Sequence, residues 1–189
     1  ASRDCEVITD MRRRTFKKKT ITLASIDLQF LQDGGIRGIV LDLDNTIVSE
    51  DDCYLSPNAE KWINQAKLAG LKLFILSNGK RRYRVDYWSR RLGIQAISPA
   101  RKPFPFSFYK ALKLMQLKSP QMGGIGDSIH TDIISALWWG CSSTQGASLP
   151  HPPRGWEKLA GSWLQIPYPR DFELWRFDDL VGVNGSSFL

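Results

Sequence analysis

The residues able to do chemistry in this chain stand at the ends of short apolar runs. The run 36–43 closes on Asp42, Asp44 and Thr46. The run 71–76 is followed by Ser77 and Asn78, and Lys102 comes after 94–97. The run 122–125 is followed by Asp127 and Ser128, with Asp132 shortly beyond. Carboxylates brought together repel one another, and a divalent cation is the natural compensation. Ligands that are all oxygen suit Mg²⁺ better than zinc. A carboxylate can also attack phosphorus and form a covalent intermediate. A lysine and a serine hydroxyl beside it can neutralise and hold phosphoryl oxygens. Each piece has a plainer reading when taken alone: Asp-x-Asp as a turn or cap, Ser77-Asn78-Gly79 as a turn, Lys102 as a surface residue, Gly126-Asp127 with Asp132 as a strand end and helix cap. Their common placement, each at the end of an apolar run, favours one site.

These residues meet only if the runs are parallel strands of one sheet, because ligands of open α/β sheets sit beyond the carboxyl ends of the strands. The segments between the runs read as helices. Ser56-Pro57 supplies an N-cap and a proline at the first helical position, for a helix reaching about Ala69 with Gly70 at its end. A basic helix over 81–92 is stopped by Gly93, another covers 107–117, and a last one spans 131–139 before Gly140. Residues 141–144 form a candidate fifth strand. Repeated strand–helix units predict an α/β fold, a Rossmann-like three-layer sandwich with a mainly parallel sheet. About a dozen residues separate Asp44 from Ser56, and about two dozen separate Asn78 from Lys102, so neither gap holds a large cap domain.

The chain has 189 residues, 26 Lys+Arg against 19 Asp+Glu and a formal net charge of +7, which points to an anionic partner. That length suits one domain with short extensions. We divide it into a basic arm (1–20, with Arg12, Arg13, Arg14, Lys17, Lys18 and Lys19), a core domain (21–150) and a Pro- and Trp-rich extension (151–189) packed on or flanking the domain, whose last residues, 182–189, could be loose. No apolar run approaches the roughly 20 residues needed to cross a bilayer, so no transmembrane helix is expected. Cys5, Cys53 and Cys141 match neither a disulfide framework nor a zinc site. The run Gly123-Gly124-Ile125-Gly126 lacks the Gly-Lys-Ser/Thr of a nucleotide-binding P-loop.

The motif Asp42-Leu43-Asp44-Asn45-Thr46, with Ser77, Lys102 and Gly126-Asp127-Ser128-Ile129-His130-Thr131-Asp132, resembles the four motifs of the haloacid dehalogenase (HAD) superfamily. More closely, residues 35–46, Ala100-Arg101-Lys102-Pro103 and 125–133 are similar to the uncapped YqeG-type branch, which includes phosphatidylglycerophosphate phosphatases of bacteria, mitochondria and plastids. Two loops depart from that branch: Asn78-Gly79 stands where a second Asn is common, and Ser135–Gly140 where a Gly-Gly-Asn-Arg run is common.

The resemblance implies a role for each matching residue. Asp42 would attack the phosphoryl group, and Asp44 would act as general acid and then base. Thr46 would orient Asp44, Ser77 would hold a phosphoryl oxygen, and Lys102 would steady Asp42. Asp42, Asp44 through its carbonyl, and Asp127 would bind Mg²⁺, with Ser128 and Asp132 in support. Asn78, Lys80, Arg81 and Arg82 are candidates for substrate binding, and Arg84 lies in the same basic run.

The function expected is Mg²⁺-dependent hydrolysis of phosphatidylglycerophosphate to phosphatidylglycerol, through an aspartyl-phosphate, by a cytoplasmic, peripherally membrane-associated enzyme. A plastid or mitochondrial location stays open, and no nucleic acid partner is expected. Two alternatives stand beside it: an uncapped phosphatase for a soluble, protein- or nucleic-acid-borne phosphate, and a basic RNA- or partner-binding protein with a vestigial site. Trp138, Trp139, Trp156, Trp163 and Trp175 are candidates for a lipid interface or for the core.

Overall fold

A computed structural model describes residues 22–179; the basic arm (1–20), residues 182–189 and Cys5 lie outside the described residues. Numbered in chain order, the strands β1 (Gly38–Leu41), β3 (Lys72–Leu76), β4 (Gln95–Ile97), β5 (Met122–Gly126) and β6 (Ser142–Gln145) form one sheet in the order β4-β3-β1-β5-β6. Every neighbouring pair is parallel. The chain steps outward from β1 on one side, then returns and steps outward on the other. Such a reversal at a central strand is where open α/β sheets place their ligands.

Side chains of successive strand residues point to opposite faces, and both faces here are covered. Ile39 and Leu41 of β1, with Ile75 of β3, pack in one layer with Trp62, Ile63 and Ala66 of α2 (Ala59–Leu68) and Val85, Trp88 and Leu92 of α3 (Arg82–Leu92). Leu31 of the short α1 (Leu28–Asp33) joins the same layer. Val40, Phe74 and Leu76 face the other way, against Phe108, Ala111, Leu112 and Met115 of α4 (Phe106–Met115) and Ala136 of α5 (Ile134–Trp138). In α2 and α4 the buried positions recur at helical spacing, which is why each presents one apolar stripe to the sheet.

Three boundaries differ from the sequence reading. The first strand stops at Leu41 rather than Leu43. There Asn45 adopts a left-handed conformation (φ 61°) and donates its N–H to Val48 O at 2.7 Å, turning the chain. The helix after it starts at Ala59, not after Ser56, because Ser56 O accepts from Ala59 N in a preceding turn and Asn58 (φ 57°) opens the helix. The expected helix 131–139 is split into a π-helical turn (Ile129–Ile133) and α5. A π-turn holds one more residue than an α-turn, and such turns recur at functional sites.

Residues 147–179 return to the domain. Ala147–Ser148 (β7) pairs with Ile166–Pro167 (β8) across α6 (Gly155–Leu164), and Tyr54–Leu55 (β2) pairs with Trp175–Arg176 (β9). Phe177 packs on the buried Trp88 with ring centroids 5.3 Å apart, and the Arg91 guanidinium lies over both rings. Among the described residues, no helix is long and apolar enough to cross a membrane. Trp88 joins α3, the sheet and the returning segment, so Trp88→Ala should cost about 3–5 kcal/mol in urea denaturation. The same variant should release residues 175–177 to faster amide exchange than the sheet.

Candidate active site

Three strand ends and one loop build the site. Asp42 follows the last ladder residue of β1, and its N–H donates to Ile125 O at 2.9 Å, which fixes it beside β5. The turn carrying Asp44 is pinned twice through Asn45: its side-chain oxygen accepts from Glu50 N at 2.9 Å, and its carbonyl accepts from Leu149 N at 2.8 Å. Asparagine tolerates the left-handed conformation that this turn requires. At the end of β3, Ser77 Oγ donates to Asp44 Oδ2 at 3.0 Å and accepts from Gly79 N at 2.9 Å.

Lys102 is buried, and its Nζ donates to Asp42 Oδ1 at 2.6 Å and to Asp132 Oδ1 at 2.5 Å. Its backbone is clamped by Asn78, whose side chain donates to Lys102 O at 2.9 Å and accepts from Lys102 N at 2.8 Å. Past β5, Asp127 Oδ2 accepts from Ser148 Oγ at 2.7 Å and from Gln165 Nε2 at 2.9 Å. Asp132, on the π-turn, accepts from Ser128 N at 3.2 Å through its other oxygen. Gly126 lies directly beneath that carboxyl group, and a Cβ there would occupy the same space.

Asp42, Asp127 and Asp132 are buried, and one oxygen from each lies within 4.8 Å of the others. Burial holds the Asp42 carboxyl well above the usual carboxylate range. The charge of Asp132 pushes it further the same way and Lys102 pulls it back. Burial, with Asp132 beside it, likewise raises Asp127 to about 6. For Lys102 burial favours the neutral amine, but Asp132 and Asp42 together outweigh it and hold the ammonium charged. One ammonium is thus shared between two of three buried carboxylates. That donor set, all oxygen and still negative, fits a hard divalent cation such as Mg²⁺.

Several side chains stand elsewhere than the resemblance implied. The buried Thr46 Oγ1 has no hydrogen-bond partner, so it does not orient Asp44. Arg84 does so together with Ser77. This arginine, 4% exposed, pairs through Nη1 with Asp44 Oδ1, through Nε with Asp52 at 2.6 Å and through Nη2 with Ser49 O at 2.8 Å. Arg84 is therefore no part of an exposed basic rim. Its spacing from Val85 and Trp88, on the inward stripe of α3, is the signal that could have found it. Asn78 spends its side chain on Lys102 rather than on a ligand.

Asp132 lies in the carboxylate cluster rather than behind it. The Asp44 carboxylate lies outside that cluster, which leaves its carbonyl for the metal role implied above. Ser148 and Gln165 were missed, since nothing local in a Pro- and Trp-rich tail marks them. Ser128 supports Asp132 through its N–H, and its hydroxyl meets His130 Nδ1 at 2.6 Å. Lys80, Arg81 and Arg82 lie exposed where α3 begins, with Arg81 paired to Glu50 O and to Asp52. Trp62 and Trp88 are core residues, Trp139, Trp156 and Trp175 are half-buried, and Trp138 and Trp163 are exposed.

Residues 6–140 match the family described as hydrolase, haloacid dehalogenase-like hydrolase. The chain belongs to this family. This hydrolase is 38% identical over 104 residues to the probable phosphatase YqeG of Bacillus subtilis (strain 168). That match covers 55% of this chain, and the chain spans 60% of the length of that curated relative. Its fold is shared with an uncharacterized protein from Listeria monocytogenes serotype 4b (TM-score 0.50, 17% identity, 80% of this chain and 98% of the other). It is shared equally with a predicted phosphoglycolate phosphatase from Haemophilus somnus 129pt (TM-score 0.50, 17% identity, 79% and 98%). At that identity the two structures speak for the fold alone.

The charge distribution sets two expectations. A carboxyl whose folded pKa is raised contributes stability that is present below its unfolded value, about 4, and lost as the pH rises through the folded value, about 6 for Asp127. Metal-free protein should therefore lose melting temperature between about pH 4 and pH 6 from this group, and excess Mg²⁺ should raise it more near pH 7 than near pH 5. Asp127→Asn should remove most of that Mg²⁺ shift in thermal melts. Arg84→Met strands the buried Asp44 carboxylate and should cost about 3 kcal/mol in urea unfolding. Arg82→Met, one turn-edge away and exposed, should change stability by less than about 0.5 kcal/mol.

Proposed function

We propose that this hydrolase is a Mg²⁺-dependent phosphomonoesterase that converts phosphatidylglycerophosphate to phosphatidylglycerol through an aspartyl-phosphate on Asp42. The observation that carries the chemistry is the division of labour between the two motif-one carboxylates. Asp42 is engaged on one oxygen by Lys102, whereas Asp44, on the adjoining turn, is held by Ser77 and Arg84. In this reading an Asp42 oxygen forms a bond to phosphorus while the bond to the lipid alcohol breaks. As general acid Asp44 would enter this step protonated, give that proton to the departing oxygen, and regain one from the water that splits the aspartyl-phosphate.

Lys102 keeps its proton throughout and holds Asp42 and Asp132 in place. Mg²⁺ would be held by Asp42, Asp127 and the Asp44 carbonyl, supported by Asp132, and would supply neutralising charge for the phosphoryl oxygens. In this reading the Ser77 hydroxyl, which donates to Asp44 in the structure, would turn to a phosphoryl oxygen of the substrate. Lys80 and Arg82, exposed where α3 begins, suit the phosphodiester of the same lipid.

The substrate class draws support from two sources. The first is the resemblance to the branch that includes phosphatidylglycerophosphate phosphatases. The second is the absence, among the described residues, of any inserted domain over the strand ends. An open site suits a phosphate presented by a membrane better than a small metabolite, which needs water excluded around it. Such an enzyme works as a peripheral protein at its membrane.

Phosphate release from micellar phosphatidylglycerophosphate, measured beside a panel of soluble phosphate esters and with Mg²⁺ or EDTA, tests both levels. The expected result is release that EDTA abolishes, that Asp42→Asn reduces to background, and that favours the lipid at least about tenfold. Turnover confined to soluble esters would overturn the lipid substrate, and no turnover by folded protein would overturn the chemistry.

A further inference from the structure

The loop after Lys102 carries its neighbours into solvent. Phe104 is 63% exposed and Phe106 77%, an unusual outlay for two phenylalanines within four residues of a buried lysine. Phe106 opens α4, and Tyr109, Lys110 and Lys113 continue from it at helical spacing along the helix's outer stripe. Tyr109 stacks on Trp139 at 5.1 Å, and the Lys113 ammonium lies over the Tyr109 ring, 5.5 Å from its centre. Trp139 Nε1 donates to Pro105 O at 2.7 Å, which ties the end of α5 to the loop. Beside it α5 presents its own outer stripe of Ile134, Leu137 and Trp138, the last 69% exposed. The aromatic loop, the outer stripe of α4 and that of α5 therefore form one apolar face beginning next to the active-site lysine.

Its charge identifies what it meets. The sequence has no Asp or Glu between Asp86 and Asp127, nor between Asp132 and Glu157, and these two segments supply the whole face. The charged groups exposed on it are Arg101, Lys110 and Lys113. An aromatic centre flanked by cations and free of carboxylates complements an anionic lipid surface, where ring systems sit at the headgroup level and each nearby cation adds about 1 kcal/mol. A protein partner's apolar surface would gain nothing from so complete an exclusion of acidic residues.

We propose that this face, built from the loop 103–106 and the outer stripes of α4 and α5, docks the protein on an anionic bilayer and so brings the Lys102 side of the site to the membrane. The proposal rests on the lipid reading of the substrate for its purpose, but it is tested without any phosphate monoester. The full chain is sedimented with vesicles of phosphatidylcholine alone and of equal parts phosphatidylcholine and phosphatidylglycerol, beside a triple variant, F104S/F106S/W138S. Melting temperature checks that the variant is folded, and Lys110→Gln/Lys113→Gln probes the charge separately.

The wild type should bind the anionic vesicles, more weakly at high salt. The triple variant should bind them at least about tenfold more weakly, and the double lysine variant should lose part of the preference for anionic over neutral vesicles. Equal binding by wild type and triple variant would overturn the proposal, as would failure of the wild type to bind. A wild-type dimer in sedimentation velocity that the triple variant turns into a monomer would also overturn it, because a second copy would then cover the face. Turnover in detergent micelles reports on the lipid substrate independently of all these outcomes.

Discussion

The bridge from Lys102 to Asp42 and Asp132 is the interaction on which the other features of the site depend. Bringing three carboxylates out of water within a few ångströms of one another is unfavourable in itself, and a single ammonium placed between two of them offsets only part of that cost. A buried pair of this kind is useful only if its geometry is fixed, and much of the surrounding structure does that fixing. Asn78 grips the backbone of Lys102 from the neighbouring strand end, the π-turn aims Asp132 inward over a glycine, and Ser148 and Gln165 hold Asp127 from the far side.

A second tie runs through Arg84. It connects the turn after β1, the loop holding Asp52 and the first half of α3, three segments that are also joined by Arg81 on Asp52 and by the Asn45 side chain on Glu50 N. The two motif-one carboxylates thus have separate cationic partners from separate elements. Two acidic groups two residues apart can take different chemical parts only when their surroundings differ, and here the difference comes from one lysine on a loop and one arginine on a helix.

Much of this was legible in the sequence. The apolar runs and the residues at their ends identify the parallel sheet and the convergence of Asp42, Asp44, Ser77, Lys102, Asp127 and Asp132, because a short parallel strand leaves its next residue at a common rim. What was not legible is the direction of individual side chains. Asn78 sits where the motif places it but spends its side chain on Lys102, the Thr46 hydroxyl is left without a partner, and Arg84 is hidden within a run of basic residues that reads as a solvated face. Ser148 and Gln165 reach Asp127 through the way the chain returns after β6, which involves contacts distant in sequence and no local pattern. The helix boundary at Ala59 and the π-turn were misread for a related reason: hydrogen bonds of the preceding turn, rather than helix propensity, decide where each begins.

The dependence of Asp127 on Ser148 and Gln165 has a consequence for how the molecule is made. The ribosome delivers all the carboxylates, Lys102 and Arg84 before it delivers either of those two side chains. During that interval the nascent chain can pair its sheet as far as β6, yet Asp127 in its acidic cluster has neither the hydroxyl nor the amide that hold it. The strand end becomes a finished site only when α6 has emerged and folded back, so the segment least marked by sequence pattern is the one that closes construction.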